Sequence, residues 1–207
     1  ILRANTAQEV NGEIVLMSTG DTFTSGALYA TNDAGAGGSV QVLGDRVAVT
    51  DGSIDVSGTE GGGEVLVGGD FRGEGDVPRA DRTFVGADAE IIADATERGN
   101  GGQVVVWGNT EIRYLGRISA QGGAEEGDGG FVELSTRDSF DIRGEVNTSA
   151  ANGETGTLLI DPTDIFIVND ADVTGGGKAE TGSAGDLDGT ISSDSIVFAD
   201  LDAVNNE

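Results

Sequence analysis

The chain has 207 residues, 37 acidic and 11 basic, for a formal net charge of -26, which excludes a nucleic-acid partner and disfavours an anionic membrane surface, since both need clustered Lys and Arg. With no cysteine and no histidine, a disulfide framework, a thiolate or imidazole metal centre and every histidine-dependent triad are excluded as well. Glycine is plentiful at 36 residues while proline occurs only at Pro78 and Pro162, which rules out a proline-rich disordered tract and collagen and leaves short strands parted by tight turns.

In chain order, the opening ILRANTAQEV lacks the basic start, apolar middle and small-residue cleavage site of a secretory signal. The expectation is that the N-terminus lies upstream and that this chain is a fragment of a longer rod. No apolar run approaches the roughly 18 residues that a membrane helix requires.

From Gly12 onward a glycine followed by alternating apolar residues recurs. It appears as Gly12-Glu13-Ile14-Val15-Leu16, Gly38-Ser39-Val40-Gln41-Val42, Gly63-Glu64-Val65-Leu66-Val67, Gly102-Gln103-Val104-Val105-Val106, Gly130-Phe131-Val132-Glu133-Leu134 and Gly156-Thr157-Leu158-Leu159-Ile160. Four of the six copies carry a second glycine in front. Between copies lies a second phrase, at Gly26-Ala27-Leu28, Gly52-Ser53-Ile54, Ala89-Glu90-Ile91, Gly116-Arg117-Ile118 and Gly144-Glu145-Val146. Ile14 to Leu28, Val40 to Ile54, Val104 to Ile118 and Val132 to Val146 are each 14 residues apart.

A repeat of roughly 25–28 residues is too short for a βαβ crossover. Winding each repeat into one coil stacks Ile14, Val40, Val65, Val104, Val132 and Leu158 in a column inside the rod. The sequence therefore predicts an all-β parallel β-helix of about six coils, on the order of 25–30 Å long at the usual strand spacing. Each inward aliphatic contributes about 1.5–3 kcal/mol when buried, before conformational entropy is subtracted. The glycines belong at corners. A sandwich of hairpins is the other all-β solution, and Asn11-Gly12 and Asn152-Gly153 fit its turns, but the constant offset favours coils.

In the third coil the two phrases stand 26 residues apart, Val65 to Ile91, so about 12 residues are inserted within Gly68 to Arg82. Phe71, Arg72, Arg79 and Arg82 in this stretch are candidate partner contacts, because loops projecting from a solenoid are where partners are met. The competing reading is a loop that covers a coil face, its arginines paired with nearby carboxylates. Coils are expected over residues 1–165, followed over 166–207 by a less regular polar loop and the start of further β coils. Within that loop Asp170, Asp172, Asp186 and Asp188 are candidate calcium ligands, although their spacing matches neither the EF-hand nor the nonapeptide repeat. No other cofactor is indicated.

The run Gly101 to Ile165, with its ordered G-G-x-V-V-V-W, D-G-G-F-V-E and L-L-I-D-P-T-D motifs, resembles the repeat region of filamentous-haemagglutinin-like large exoproteins. The preceding VGGDFRGEGDVPRADRTFV is similar to the insert that accompanies that region. The resemblance covers about the middle half of the chain. It implies a right-handed β-helix and passage of the full-length protein through an outer-membrane two-partner secretion transporter. It also implies secretion or display at the surface of a Gram-negative cell. The N-terminal secretion domain of the family is not visible in the sequence.

These observations favour a non-enzymatic shaft or interaction segment of an adhesin-like exoprotein, with a surface glycan or protein as possible partner. One alternative is a polysaccharide lyase or hydrolase. It would use acid pairs such as Glu125 with Glu126 or Asp138 with Asp141, arginines such as Arg113 and Arg143, and Trp107 or Tyr114 stacked on sugar. Another is a scaffold subunit docking through outward apolar residues Val15, Leu66, Val105 and Leu159.

Overall fold

The computed structural model describes residues 2–3 and 12–161; the candidate calcium ligands Asp170, Asp172, Asp186 and Asp188 lie outside them. Along the described chain run β1 (Leu2–Arg3), β2 (Glu13–Met17), β3 (Asp21–Thr24), β4 (Leu28–Tyr29), β5 (Ser39–Leu43), β6 (Arg46–Asp55), β7 (Glu64–Val67) and β8 (Arg82–Ile92). These are followed by β9 (Gln103–Gly108), β10 (Glu111–Tyr114), β11 (Arg117–Ser119), β12 (Phe131–Thr136), β13 (Ser139–Ile142), β14 (Glu145–Asn147) and β15 (Thr157–Asp161). Among the described residues there is no α-helix, and every strand pairing is parallel. The strands stack as the predicted β-solenoid, about 5 turns long.

The glycine phrases form a six-stranded sheet in the order β15-β12-β9-β7-β5-β2. Its register aligns Ile14 with Val40, Val40 with Val65, Val65 with Val104, Val104 with Val132 and Val132 with Leu158. That is the column expected from the repeat. Since successive side chains of a strand alternate in direction, Val42, Val67, Val106 and Leu134 form a second inward column beside it, all buried. The second phrase builds another column, Leu28, Ile54, Ile91, Ile118 and Val146, within a nine-stranded sheet.

The sequence reading did not foresee a further row of strands between these two. It comprises β3, the first halves of β6 and β8, β10 and β13. Thr22, Val47, Thr83, Ile112 and Phe140 align along it. Two members are threonines, and they are satisfied in the dry interior by donating to main chain: Thr22 Oγ1 to the Leu43 carbonyl at 2.7 Å and Thr83 Oγ1 to the Trp107 carbonyl at 2.5 Å. β6 and β8 run through both rows of the nine-stranded sheet, their mutual register shifting between Val49 and Asp51.

The paired glycines answer a close approach of main chain rather than only a turn. In each coil the second glycine donates back across the corner, as Gly102 N–H does to the Ala93 carbonyl at 2.7 Å. The first glycine of the preceding coil sits against that bond. A Cβ on Gly62 would lie 1.9 Å from the Ala93 oxygen and 2.3 Å from Gly102 N, in the middle of the hydrogen bond. Gly37, Gly101 and Gly129 stand in the same relation to the corner bonds of Gly63, Gly130 and Gly156.

Candidate functional site: the insert on the outer face

The outward side of the six-stranded sheet carries its own column: Val15, Gln41, Leu66, Val105, Glu133 and Leu159. At its start Val15 and its strand neighbour Met17 are exposed, Met17 by 62%. In the middle Leu66, Val105 and Trp107 are buried and form a small apolar cluster with Val77 of the insert. The inserted residues between β7 and β8 therefore lie back on the sheet and cover it.

Local chemistry folds the insert this way. Asp70 caps a 3-10 turn, Phe71–Gly73, by accepting from Phe71 N at 2.6 Å. Gly69 and Gly73 lie flat on the Trp107 indole, where a Cβ on Gly73 would come 2.3 Å from Cζ2. Gly73 also takes φ 62, a left-handed conformation natural to glycine. Arg72 takes φ 55 without that freedom, and its N–H reaches the Glu133 carboxylate, Oε1, at 2.9 Å.

Glu133 is 0% exposed, its Oε2 has no hydrogen-bond partner, and neither has the Oγ of the equally buried Ser135. Burial pushes the Glu133 carboxyl above the usual carboxylate range, against the opposing pull of the neighbouring Ser135 hydroxyl and of the Arg72 N–H and guanidinium, while the charge of Asp161 adds to the rise. Glu64, half-buried, is raised too, by burial first and then by the charge of Asp70.

The four partner-contact candidates divide. Phe71 is 37% exposed and meets Phe131 edge to face at 5.7 Å. The Arg72 guanidinium stands 5.0 Å over the Phe71 ring, and Arg79 donates to the Gly73 carbonyl at 2.7 Å. Arg82 does not belong to this group: it opens β8 in the other sheet, within 3.9 Å of Asp81 and 3.8 Å of Glu111. Exposed Phe71 and the Arg72 side chain are thus the parts of the insert that face outward with both aromatic and cationic character.

Most of the residues weighed for catalysis are engaged elsewhere. Trp107 lies beneath the insert, with the Arg137 guanidinium 5.8 Å over its ring. Tyr114 points into the core, donates to the Glu145 carbonyl, and burial raises its pKa. Arg113 and Arg143 both engage Asp141, at 3.3 and 2.7 Å. The Arg113–Asp141 pair continues a ladder between coils that includes Asp21–Arg46, Arg98–Glu125 and Arg117–Glu145, whereas Arg143 meets Asp141 within one coil. Two of the outward residues weighed for lateral docking, Leu66 and Val105, are closed off by the insert, while Leu159 is partly buried. A shallow groove of about 770 Å³ runs across the glycine corners between Ala36 and Thr157.

Sequence reasoning missed Glu133 as a buried group. The signal was present in the register, because Glu133 occupies the outward column next to Val105, two coils from the point of insertion. No helix among the described residues is long and apolar enough to cross a membrane.

No protein-family profile matches the chain. No curated protein matches it. Among solved structures it is similar to the HMW1 secretion domain from Haemophilus influenzae, with 35% sequence identity and a TM-score of 0.63 over 77% of this chain. The sequence reading saw no secretion domain here, yet this neighbour is one. The chain spans 42% of that structure's length, and in fold and sequence it resembles the filamentous-haemagglutinin-like β-helix of two-partner secretion passengers.

Proposed function

We propose that the chain is a solenoid segment of a secreted, adhesin-like exoprotein of a Gram-negative bacterium. It serves as a shaft and presents the insert at the cell surface. The observation that carries this reading is the unbroken register of the inner columns from Ile14 to Leu158, together with 35% identity to a secretion domain. A solenoid whose coils bury only one another propagates along its axis, and its net charge of -26 keeps neighbouring rods apart in solution. Trp107 and Tyr114 are engaged in packing and Glu125, Asp141, Arg113 and Arg143 in ion pairs, which supports a non-enzymatic role.

The partner in export is an outer-membrane transporter of the two-partner type, and at the surface a glycan or protein meets the outward Phe71 and Arg72. The test is export. Placed behind a periplasmic signal in cells with and without such a transporter, the chain is expected in the medium only when the transporter is present. Retention in the periplasm under both conditions contradicts the reading. Incubation with neutral and acidic polysaccharides is expected to yield no new reducing or unsaturated ends.

A further inference from the structure

We propose that the insert is a latch, clasped to the six-stranded sheet by Glu133 and Arg72, that tightens when acid neutralises the Glu133 carboxyl and loosens when that carboxyl ionises. An ionised Glu133 offers acceptors only, and its Oε2 has no partner in a site with no exposure. A protonated Glu133 becomes a donor, and the other unpartnered atom among the buried side chains described is Ser135 Oγ, two residues along the same face of β12. Ser135 carries its own O–H and can donate to the carboxylate or accept from the acid, so hydrogen-bond capacity is met in either state, and what protonation removes is the cost of a charge in a site with no exposure.

Every element packed around the carboxyl leaves this balance intact. The insert brings Arg72, while Asp70 is occupied with Phe71 N and Arg79 with the Gly73 carbonyl. β15 brings Asp161, which opposes ionisation. β9 sets Gln103, Val105 and Trp107 alongside, none of them titratable near neutrality. On β12 the flanking residues are Phe131 and Ser135, with Arg137 beyond, over the Trp107 ring.

Arg72 supplies the mechanical side. Its positive φ is a conformation that an arginine adopts at a cost, and its N–H donates to Glu133 Oε1 from there. The insert is also joined to the rod through the Ala80 and Asp81 N–H bonds to the Gly68 and Asp45 carbonyls, 2.6 and 2.7 Å, so lifting the 3-10 turn leaves the inner columns paired. The sign follows from the raised carboxyl. Docking strength is fully present below the ordinary carboxylate range and is lost as pH rises through the elevated value. Loosening uncovers Leu66, Val105 and Trp107, in the sheet face that already exposes Val15 and Met17.

Trp107 is the one tryptophan of the chain and lies under the latch, so its fluorescence reads the docked state directly. Acrylamide quenching is expected to rise about threefold from mildly acidic to mildly alkaline buffer, with the far-ultraviolet circular dichroism unchanged, as for a local opening. In Glu133→Gln, where the amide donates without a charge, at least half of that rise should vanish, the remainder belonging to Glu64. An equal rise in Glu133→Gln, or no rise in the wild-type chain, overturns the proposal. Should the variant fail to fold, hydrogen exchange at the Arg72 amide of the wild-type chain decides instead. Protection corrected for intrinsic rate must fall with rising pH, and constant protection overturns the latch.

Discussion

The two outer surfaces of this solenoid enclose the same kind of core and solve different problems. On the nine-stranded sheet the outward residues include a ladder of exposed charges, in which arginines of one coil meet carboxylates of the next, as Arg113 meets Asp141 and Arg117 meets Glu145. On the six-stranded sheet the outward column turns apolar at Leu66 and Val105, and the insert seals it together with one buried acid, Glu133. Exposed ion pairs are worth little in high dielectric, whereas a buried carboxyl and a covered indole carry large terms of opposite sign. Stability should therefore respond sharply to changes beneath the insert and at the glycine corners, and hardly at all along the charged ladder.

The largest effect is expected at a corner. Gly62→Ala places a methyl inside the Gly102–Ala93 hydrogen bond and should cost about 4 kcal/mol, read as a loss of cooperative thermal unfolding or a large fall in Tm. A near-neutral result would show that the corner has room the structure denies it. Next, Trp107→Ala empties the space between insert and sheet and should cost about 3 kcal/mol by urea titration. A cost well below that would mean the insert is a decoration on the sheet rather than its cover.

Glu133→Gln is expected to stabilise the chain at neutral pH by about 1 kcal/mol, with the gain vanishing in acid, where the wild-type carboxyl is itself neutral. Destabilisation at every pH would mark Glu133 as a partner whose charge is needed. The smallest effect belongs to the ladder. Arg113→Ala should shift stability by less than about 0.5 kcal/mol. Because the chain carries a net charge of -26, added salt should raise Tm by screening repulsion between coils more than it weakens such pairs.

How far the sequence speaks depends on where a residue faces. The inward columns from Ile14 to Leu158 and from Leu28 to Val146 were legible because burial on every turn enforces one apolar choice, and glycine marks each corner. The row through Thr22, Val47, Thr83, Ile112 and Phe140 was not, since two threonines break the apolar signal and no glycine stands at a constant offset before it. The insert could be counted from the interval Val65 to Ile91, but its course could not. That depends on outward residues, where apolar Leu66 and Val105 read equally well as a docking face. Arg82 looked like part of the loop by proximity in sequence, and pairing with Arg46 and Glu111 placed it in a strand. Glu133 looked like any surface acid, because burial on an outer face is decided by a segment that lies about 60 residues away in sequence.

Register between coils is directly accessible to cross-linking, because the chain has no native cysteine. Arg117 and Glu145 are register partners on exposed positions of adjacent coils, at a separation near the usual parallel-strand spacing of about 4.8 Å, within reach of a disulfide. Arg117→Cys with Glu145→Cys should close an intramolecular disulfide under mild oxidation, as should Val15→Cys with Gln41→Cys in the other sheet. Pairs displaced by one residue, whose side chains face opposite sides, should stay reduced. Closure of the displaced pairs in place of the aligned ones would contradict the stacked coils on which the whole account stands.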